Sequence, residues 1–526
     1  MIFRSPYPDV TVPEISLTEY VLQRAEELAD KPALIDGPSG RTLSYGQLAG
    51  AIRKCAAGLA QSGFAKGDVF AIYSPNLPEY AVIFHAVASL GGTNTTVNPL
   101  YTVDELARQL KDCGAKYLIT IELFLENARQ AAQQCGVEKI FVFGEAEGAI
   151  PFAELLDNDG EPPQVTLNLK EDLAVLPYSS GTTGIPKGVM LTHYNMVANM
   201  CQIKGYRGLT IDWEKQTLVG VLPFFHIYGM VVILNYTLSQ GATVVTMPRF
   251  DMEQFLGILQ EYKITFMHLV PPILLGLAKH PMVDQFDLSN LRGVLCGAAP
   301  LGEGLAREAA QRLGCIIVQG YGLTETSPVT HIAPSEEGLQ RPASAGQCVP
   351  NTEVKIVDIA SKEELGPNQE GEILVRGPQV MKGYLNNPEA TAAVMEGGWF
   401  HTGDIGYADE QGYFYVVDRL KELIKYKGYQ VAPAELEALL LTHPAVADAA
   451  VIPSPDEEAG EVPKAFVVLR EDTPTETLMS FVAEQVAPHK RIRLMDVVEE
   501  IPKSLSGKIL RRVLVEQERA RAAGGS

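Results

Sequence analysis

Over residues 17–143 the apolar positions alternate between two spacings. They recur with helical periodicity at 20–29, 45–63, 79–90, 106–114 and 127–135, and they run together at 69–73, 117–121 and 140–142, which predicts short buried strands. Strand, helix, strand in this rhythm implies parallel sheets covered by helices, so the class is α/β. The same rhythm returns at 242–247, 252–262 and 264–269. From about 352 the text changes to short strands parted by glycine turns, at 353–358, 371–376 and 412–417, which predicts a small β-rich subdomain. Beyond Arg419 it changes again. A helix at 433–442 with proline in its first turn, strands at 448–452 and 465–469, and a helix at 476–487 predict a closing α+β unit, with the boundary near 418–421.

At roughly 100 to 200 residues per domain, a chain of this length holds about two to four packed units. Hydrophobic residues make up 46% and charged residues 20% of the 526, which excludes disorder as the main character. The net charge of −21 repels nucleic-acid backbones and anionic lipid, so no nucleic-acid partner is expected and any anionic ligand must be gripped locally. Seven cysteines, odd in number and without a CxxC pair, suit reduced thiols and a cytoplasmic protein. Arg4, Asp9 and prolines interrupt the start where a secretory leader needs an apolar run, so none is expected. The apolar windows 80–92 and 266–278 are shorter than the about 20 residues a bilayer requires, which predicts no membrane span.

Five stretches carry candidate chemistry. Tyr178, Ser179, Ser180, Gly181, Thr182, Thr183, Gly184, Ile185, Pro186, Lys187 and Gly188 follow the apolar run 173–176. Small hydroxyl and glycine residues let backbone amides wrap phosphate oxygens, and Lys187 adds a point charge. The lysine is followed by Gly188 rather than Ser or Thr, so this is not a Walker A loop. Gln319, Gly320, Tyr321, Gly322, Leu323, Thr324 and Glu325 begin like a dinucleotide fingerprint, but Glu325 stands where a third glycine belongs. Trp399, Phe400, His401, Thr402, Gly403 and Asp404 end on a two-oxygen acceptor suited to paired hydroxyls. The segments 415–430 and 502–509 taken alone read as a charged edge with its turn and a basic tail.

Occurring together and in this order, these motifs resemble the adenylate-forming acyl- and aryl-CoA synthetases, a family that also includes firefly luciferase and peptide-synthetase adenylation domains. The segment 222–229, with His226 and Tyr228, and the phrase 422–437 are most similar to 4-coumarate-CoA ligases and their bacterial relatives. The resemblance covers nearly the whole chain to Lys508. It implies a large N-terminal domain, 1–417, of parallel α/β subdomains plus a small β-barrel, a hinge at 418–421, and a small mobile α+β domain at 422–526.

It further implies ATP, Mg²⁺ and coenzyme A as the small-molecule partners of a carboxylic acid, acting on a monomer or weak homodimer. Position by position, Ser179, Ser180, Gly181, Thr182, Thr183 and Lys187 would hold phosphates, and Gln319, Gly320 and Tyr321 the adenine. Thr324 would meet the α-phosphate, Glu325 the metal, and Asp404 and Arg419 the ribose. Lys508 would bind the reacting carboxylate and α-phosphate. Lys425 and Gln430 would serve thioester formation after the domain swings about Lys421, and Arg249, Lys427 and Gly428 would contact coenzyme A. The acid itself would lie against His226, Tyr228, Val232, Ala298, Gly320 and Ile332, with Lys421 and Lys425 nearby.

No side-chain nucleophile is needed for such a reaction, and the sequence has neither a GxSxG elbow nor an HExxH site. Coumarate ligases of the family place a lysine just before the Gly-Ala-Ala-Pro turn and a small polar residue after the His-Ile-Tyr segment. Here Leu295 and Cys296 precede Gly297, and Gly229, Met230, Val231 and Val232 follow Tyr228. An unpaired buried hydroxyl costs about 1 to 3 kcal/mol. An apolar floor therefore predicts a cinnamate- or 4-coumarate-type aryl acid with no premium on the hydroxyl, and a medium-chain fatty acid is the alternative substrate. A luciferase-like oxygenase or a non-catalytic nucleotide-binding protein is the alternative of another class.

Overall fold

The computed structural model describes residues 1–526 except 159–160, 180–185, 209–210, 336–339, 428, 457, 506 and 525–526, with backbone alone for 519–524. An eight-stranded sheet is built on Val69–Tyr73, with Thr93–Thr96 and Ala115–Ile121 parallel on either side. Leu173–Ser179 extends it in parallel, and Lys187–Thr192 returns antiparallel beside that strand. The central strands are buried on both faces, which is why they read as unbroken apolar runs.

A four-stranded sheet carries Thr217–Gly220 and Thr243–Thr246, and a five-stranded sheet runs Phe266–Leu269, Gly293–Cys296, Ile316–Gly322, Val329–Ile332 and Gln347–Cys348. The small β-barrel of the sequence reading takes the form of a six-stranded sheet that is antiparallel throughout, including Glu353–Val357, Gly371–Arg376, Trp399–Ala408 and Phe414–Arg419. The closing α+β unit has its own five-stranded sheet around Val446–Asp456 and Gly460–Leu469, covered by the helices Pro433–Leu440 and Thr475–Ala483. Its core of Ile424, Leu436, Val451 and Val467 is separate from the large one.

Local signals explain most boundaries. Helix Val103–Cys113 begins at a reciprocal cap between Thr102 and Glu105 and ends at Gly114 with φ +63°, a conformation that favours glycine. The helix predicted at 20–29 stops sooner, at Leu22, after which bonds such as Ala25 N to Leu22 O tighten the chain into turns. The strand predicted at 412–417 is Phe414–Arg419, which brings Asp418 and Arg419 into register with Ile405 and Asp404.

Residues Tyr228–Tyr236 wind as a π-helix that the pattern did not announce, because all nine are buried and no polar face marks a period. Gly229 opens it where a side-chain carbon would lie 2.2 Å from the Pro223 carbonyl oxygen. Among the described residues no helix is long and apolar enough to cross a membrane.

Candidate active site

Two cavities, of about 860 and 730 Å³, meet at a shared wall of Ala298, Gly320, Tyr321, Gly322, Arg419 and Lys508. They open outside the carboxyl ends of parallel strands, at Ser179, Gly297 and Gly320, where open α/β sheets gather ligands. The larger one reaches between His226, Tyr228, Val232, Leu295, Ala298 and Ile332. The other lies between the large unit and residues 422–526.

The pocket of the first cavity is apolar at Val232, Leu295 and Ile332. Its floor also holds the Tyr228 hydroxyl, which stands 3.1 Å from His268 Nδ1 and donates to Leu295 O at 3.3 Å. That hydroxyl is therefore already committed inside the protein. Ala298 takes φ +68°, unusual for a residue with a Cβ, and turns the chain between the two cavities. Gly297 lies so close beneath Tyr228 that a side-chain carbon there would come within 3.2 Å of its ring.

His226 keeps surface toward the cavity but is far from bulk water. Burial, with the nearby Lys508 charge, pushes its imidazole down to about 4, so it is neutral at pH 7. Its Nδ1 accepts the Tyr228 N–H at 3.3 Å, which leaves the ring proton on Nε2 as a donor.

Toward the second cavity, Asp404 is buried, and its Oδ2 accepts from the Tyr321 hydroxyl at 2.7 Å while Oδ1 lies 3.2 Å from Arg419 Nε. Burial raises the Asp404 carboxyl, and Arg419 opposes that rise. Gln319 sits beneath Tyr321 with its amide donating to Leu301 O at 3.1 Å and Pro342 O at 2.6 Å, so that side chain holds loops together.

Glu325 is buried and accepts from Ser179 Oγ and the Tyr384 hydroxyl, both at 2.9 Å. Lys187 Nζ stands 4.9 Å from the centre of the Tyr384 ring, so phosphate-type donors and a carboxylate gather at one mouth of the cavity. Thr324 lines the same wall. Among the described residues no three His, Cys, Asp or Glu side chains cluster as a metal cage. The Glu325 carboxylate, beside Ser179 and close to Lys187, suits Mg²⁺, which keeps waters and takes one or two carboxylates beside substrate phosphates.

Lys508 arrives from the small unit. The turn before it is set by Gly507, at φ +76°, whose N–H donates to Ser504 O at 2.8 Å, and by the Lys508 N–H on Ser504 Oγ at 3.1 Å. A side-chain carbon on Gly507 would lie 2.9 Å from Pro272, so the turn is pressed against the large unit. Burial, then the charges of Arg419 and Lys421, lower the Lys508 ammonium to about 8.

The structure thus brings together Ser179, Lys187, His226, Tyr228, Val232, Ala298, Gly320, Tyr321, Thr324, Glu325, Ile332, Asp404, Arg419 and Lys508. It leaves others outside. Lys425 and Gln430 face each other on the exposed hairpin Ile424–Tyr426 and Tyr429–Val431, Lys427 pairs with Glu458, and Arg249 is exposed on the large unit. Lys421 lies beside Arg419 at the chain's passage into the small unit. Ser180, Gly181, Thr182, Thr183 and Gly428 fall outside the described residues. Tyr384 and His268 were not singled out from sequence, since neither sits in a recognisable spacing.

Comparison with known proteins identifies the family. The AMP-binding enzyme family matches residues 21–385, and the AMP-binding enzyme C-terminal domain matches 435–508. The chain is similar to 4-coumarate–CoA ligase 1 of Petroselinum crispum, 43% identical with 100% of this chain and 97% of the relative covered, and to 4-coumarate–CoA ligase 1 of Solanum tuberosum, 44% identical at the same coverage. Among solved structures it is similar to an anthranilate CoA ligase in complex with anthranoyl-AMP, with 26% identity, 98% and 99% of the two chains covered and a TM-score of 0.89. It is also similar to the o-succinylbenzoate CoA synthetase of Bacillus subtilis in complex with its acyl-adenylate, with 30% identity, 94% and 97% covered and a TM-score of 0.82.

Proposed function

The chain belongs to the AMP-binding enzyme family, and on that premise we propose that it is an ATP-dependent acid–CoA ligase acting on an aryl acid of the cinnamate and 4-coumarate type. One observation carries the proposal: Lys508 stands at the wall shared by two cavities, the first lined by apolar Val232, Leu295 and Ile332 and by Ser179, Lys187 and Thr324, the second by Asp404. A carboxylate against the apolar residues and an α-phosphate beside Thr324 would both lie within reach of that ammonium.

In the first half-reaction a carboxylate oxygen attacks the α-phosphorus of ATP, pyrophosphate leaves, and an acyl-adenylate forms. Two anions must approach, and the work of the site is positioning and charge neutralisation. Lys508 supplies positive charge between them, Thr324 faces the α-phosphate, and neutral His226 donates from Nε2 without adding charge. Ser179 and Lys187, with Ser180, Gly181, Thr182 and Thr183, hold the departing phosphates. Asp404 and Arg419 fix the ribose, and Tyr321 with Gly320 the adenine. Glu325 would hold Mg²⁺, which when bound neutralises phosphate charge.

In the second half-reaction the coenzyme A thiol attacks the adenylate carbonyl and AMP leaves. Lys425 and Gln430 are the residues we assign to this step, with Arg249, Lys427 and Gly428 on coenzyme A. Lys425 and Gln430 are exposed, and a turn of residues 422–526 about 418–421 would bring them in, so the domain division 1–417, 418–421 and 422–526 is part of the proposal. We place the enzyme in the cytoplasm as a monomer or weak homodimer; the free state of all seven cysteines supports a reducing compartment.

The floor decides among acids. Val232, Leu295 and Ile332 offer no polar partner, and Tyr228 already donates to Leu295 O. A phenolic hydroxyl gains little there, so kcat/KM for cinnamate is expected to equal or exceed that for 4-coumarate. Competition between the two acids, read as the ratio of thioesters formed, tests this: a preference for 4-coumarate above about tenfold, worth about 1.4 kcal/mol, overturns it, and octanoate outrunning both would move the substrate class to medium-chain acids.

A further inference from the structure

Asp418 makes a contact across the boundary between the two units that the chemistry above does not use. It sits near the end of strand Phe414–Arg419, the last strand of the large unit, and is buried. Its Oδ1 accepts from Arg419 N at 2.7 Å, and its Oδ2 accepts from Ala434 N at 2.9 Å. Ala434 lies in the first turn of helix Pro433–Leu440, whose own N-cap residue, Ala432, has no side-chain acceptor. First-turn N–H groups have no partner within a helix, and a carboxylate is the strongest cap available to them. The start of the hinge, still paired with strand Trp399–Ala408 of the large unit, thus caps the first helix of the small one.

The contact continues toward the reacting centre. On the same helix Glu437 accepts from Val451 N through Oε1 at 2.7 Å and from Arg511 Nη2 through Oε2 at 2.6 Å. Arg511 also donates to Glu422 at 2.5 Å. It begins the last helix, three residues after Lys508. Beside this chain of bonds the two units touch closely, for a side-chain carbon on Gly302 would lie 3.2 Å from Ala438 Cβ.

We infer that Asp418 is a positioning residue for acyl-adenylate formation: its cap on Ala434, passed on through Glu437 and Arg511, fixes where Lys508 stands in the cavity. A buried, charge-assisted bond of this kind is costly to leave unmade on either side. Rotation of the small unit about Lys421, with Asp418 held in its strand beside Ile405, would carry Ala434 away from Asp418, so the cap belongs to this orientation and not to one that brings in Lys425 and Gln430. In this the inference rests on the proposed two-step use of the small domain.

The test measures the half-reactions separately in the full-length enzyme: acid-dependent exchange of pyrophosphate into ATP without coenzyme A, and single-turnover thioester formation from supplied cinnamoyl-adenylate and coenzyme A. Asp418→Ala is expected to slow the first by about tenfold or more and to leave the second within about twofold. Glu437→Gln, which keeps the cap but weakens the link to Arg511, should show the same split. Adding Ala432→Ser to Asp418→Ala gives the helix a cap of its own; adenylation that stays low supports the inference, and adenylation that recovers shows that only helix stability was at stake.

Amide hydrogen exchange supplies a readout that needs no activity. In Asp418→Ala, faster exchange at Ala434 must be accompanied by faster exchange in 502–510. Equal loss of both half-reactions, or deprotection confined to Ala434, overturns the inference. If the wild-type protein performs neither half-reaction, the proposed function fails, and the exchange data still decide whether Asp418 positions the Lys508 turn.

Discussion

Lys508→Ala is expected to lower acid-dependent pyrophosphate release by about a hundred- to a thousandfold, the loss typical when one preorganised group facing transition-state charge is removed. The side chain reaches the wall where both cavities meet, and it is the one residue of the small unit whose charge is assigned to both reacting anions. Thioester formation from supplied acyl-adenylate should change far less, because that step is assigned to Lys425 and Gln430. The two rates, measured in single-turnover experiments, check this; equal loss in both would mean that Lys508 acts by holding the fold. The same lysine predicts a pH limit. With its ammonium lowered to about 8 by burial and by Arg419 and Lys421, the charged form is present below that pH and lost above it. The kcat/KM of adenylation should therefore fall as pH rises through about 8, and a profile flat to pH 10 would contradict the assignment.

Glu325→Gln should come second in effect. The carboxylate is buried with Ser179 and Tyr384 as donors, and the substitution keeps its shape while removing its charge. An amide oxygen can still accept one of those bonds, so the fold should survive. The dication proposed for this site would lose its protein ligand, and we expect adenylation to fall by about a hundredfold, the order seen when a charge that stabilises phosphoryl transfer is lost. Titration of Mg²⁺ at saturating ATP should show that a higher concentration is needed for half-maximal rate. An unchanged Mg²⁺ dependence would assign Glu325 to holding Ser179 and Tyr384 alone.

Much of this was legible in the sequence, for identifiable reasons. Val69–Tyr73 and Ala115–Ile121 are buried on both faces of a parallel sheet, so their apolar runs announced themselves. The motifs around Ser179, Glu325, Asp404 and Lys508 were visible as residue types, because the phosphate, metal and ribose proposed for them would each demand a particular chemistry within a short stretch. What sequence could not show was pairing at a distance. Glu325 meets Tyr384, and Asp418 meets Ala434, through bonds that leave no periodic trace. The π-helix Tyr228–Tyr236 stayed hidden because a segment buried all round has no polar face to set its period. The Tyr228–His268 contact beneath the acid pocket stayed hidden as well, since two buried polar groups 40 positions apart look like ordinary core residues until they meet. The orientation of the small unit was equally unreadable: the residues assigned to both half-reactions lie in 422–526, and only the fold tells that Lys508 faces the cavities while Lys425 and Gln430 face outward.

In the proposed function one site joins an aryl carboxylate to coenzyme A at the expense of ATP cleaved to AMP. Its most direct test is product analysis with ATP, Mg²⁺ and cinnamate, with and without coenzyme A. We expect AMP, pyrophosphate and cinnamoyl-CoA in equal amounts, with sustained turnover only when coenzyme A is present. Formation of ADP, or AMP accumulating in the presence of coenzyme A without a thioester, would contradict it.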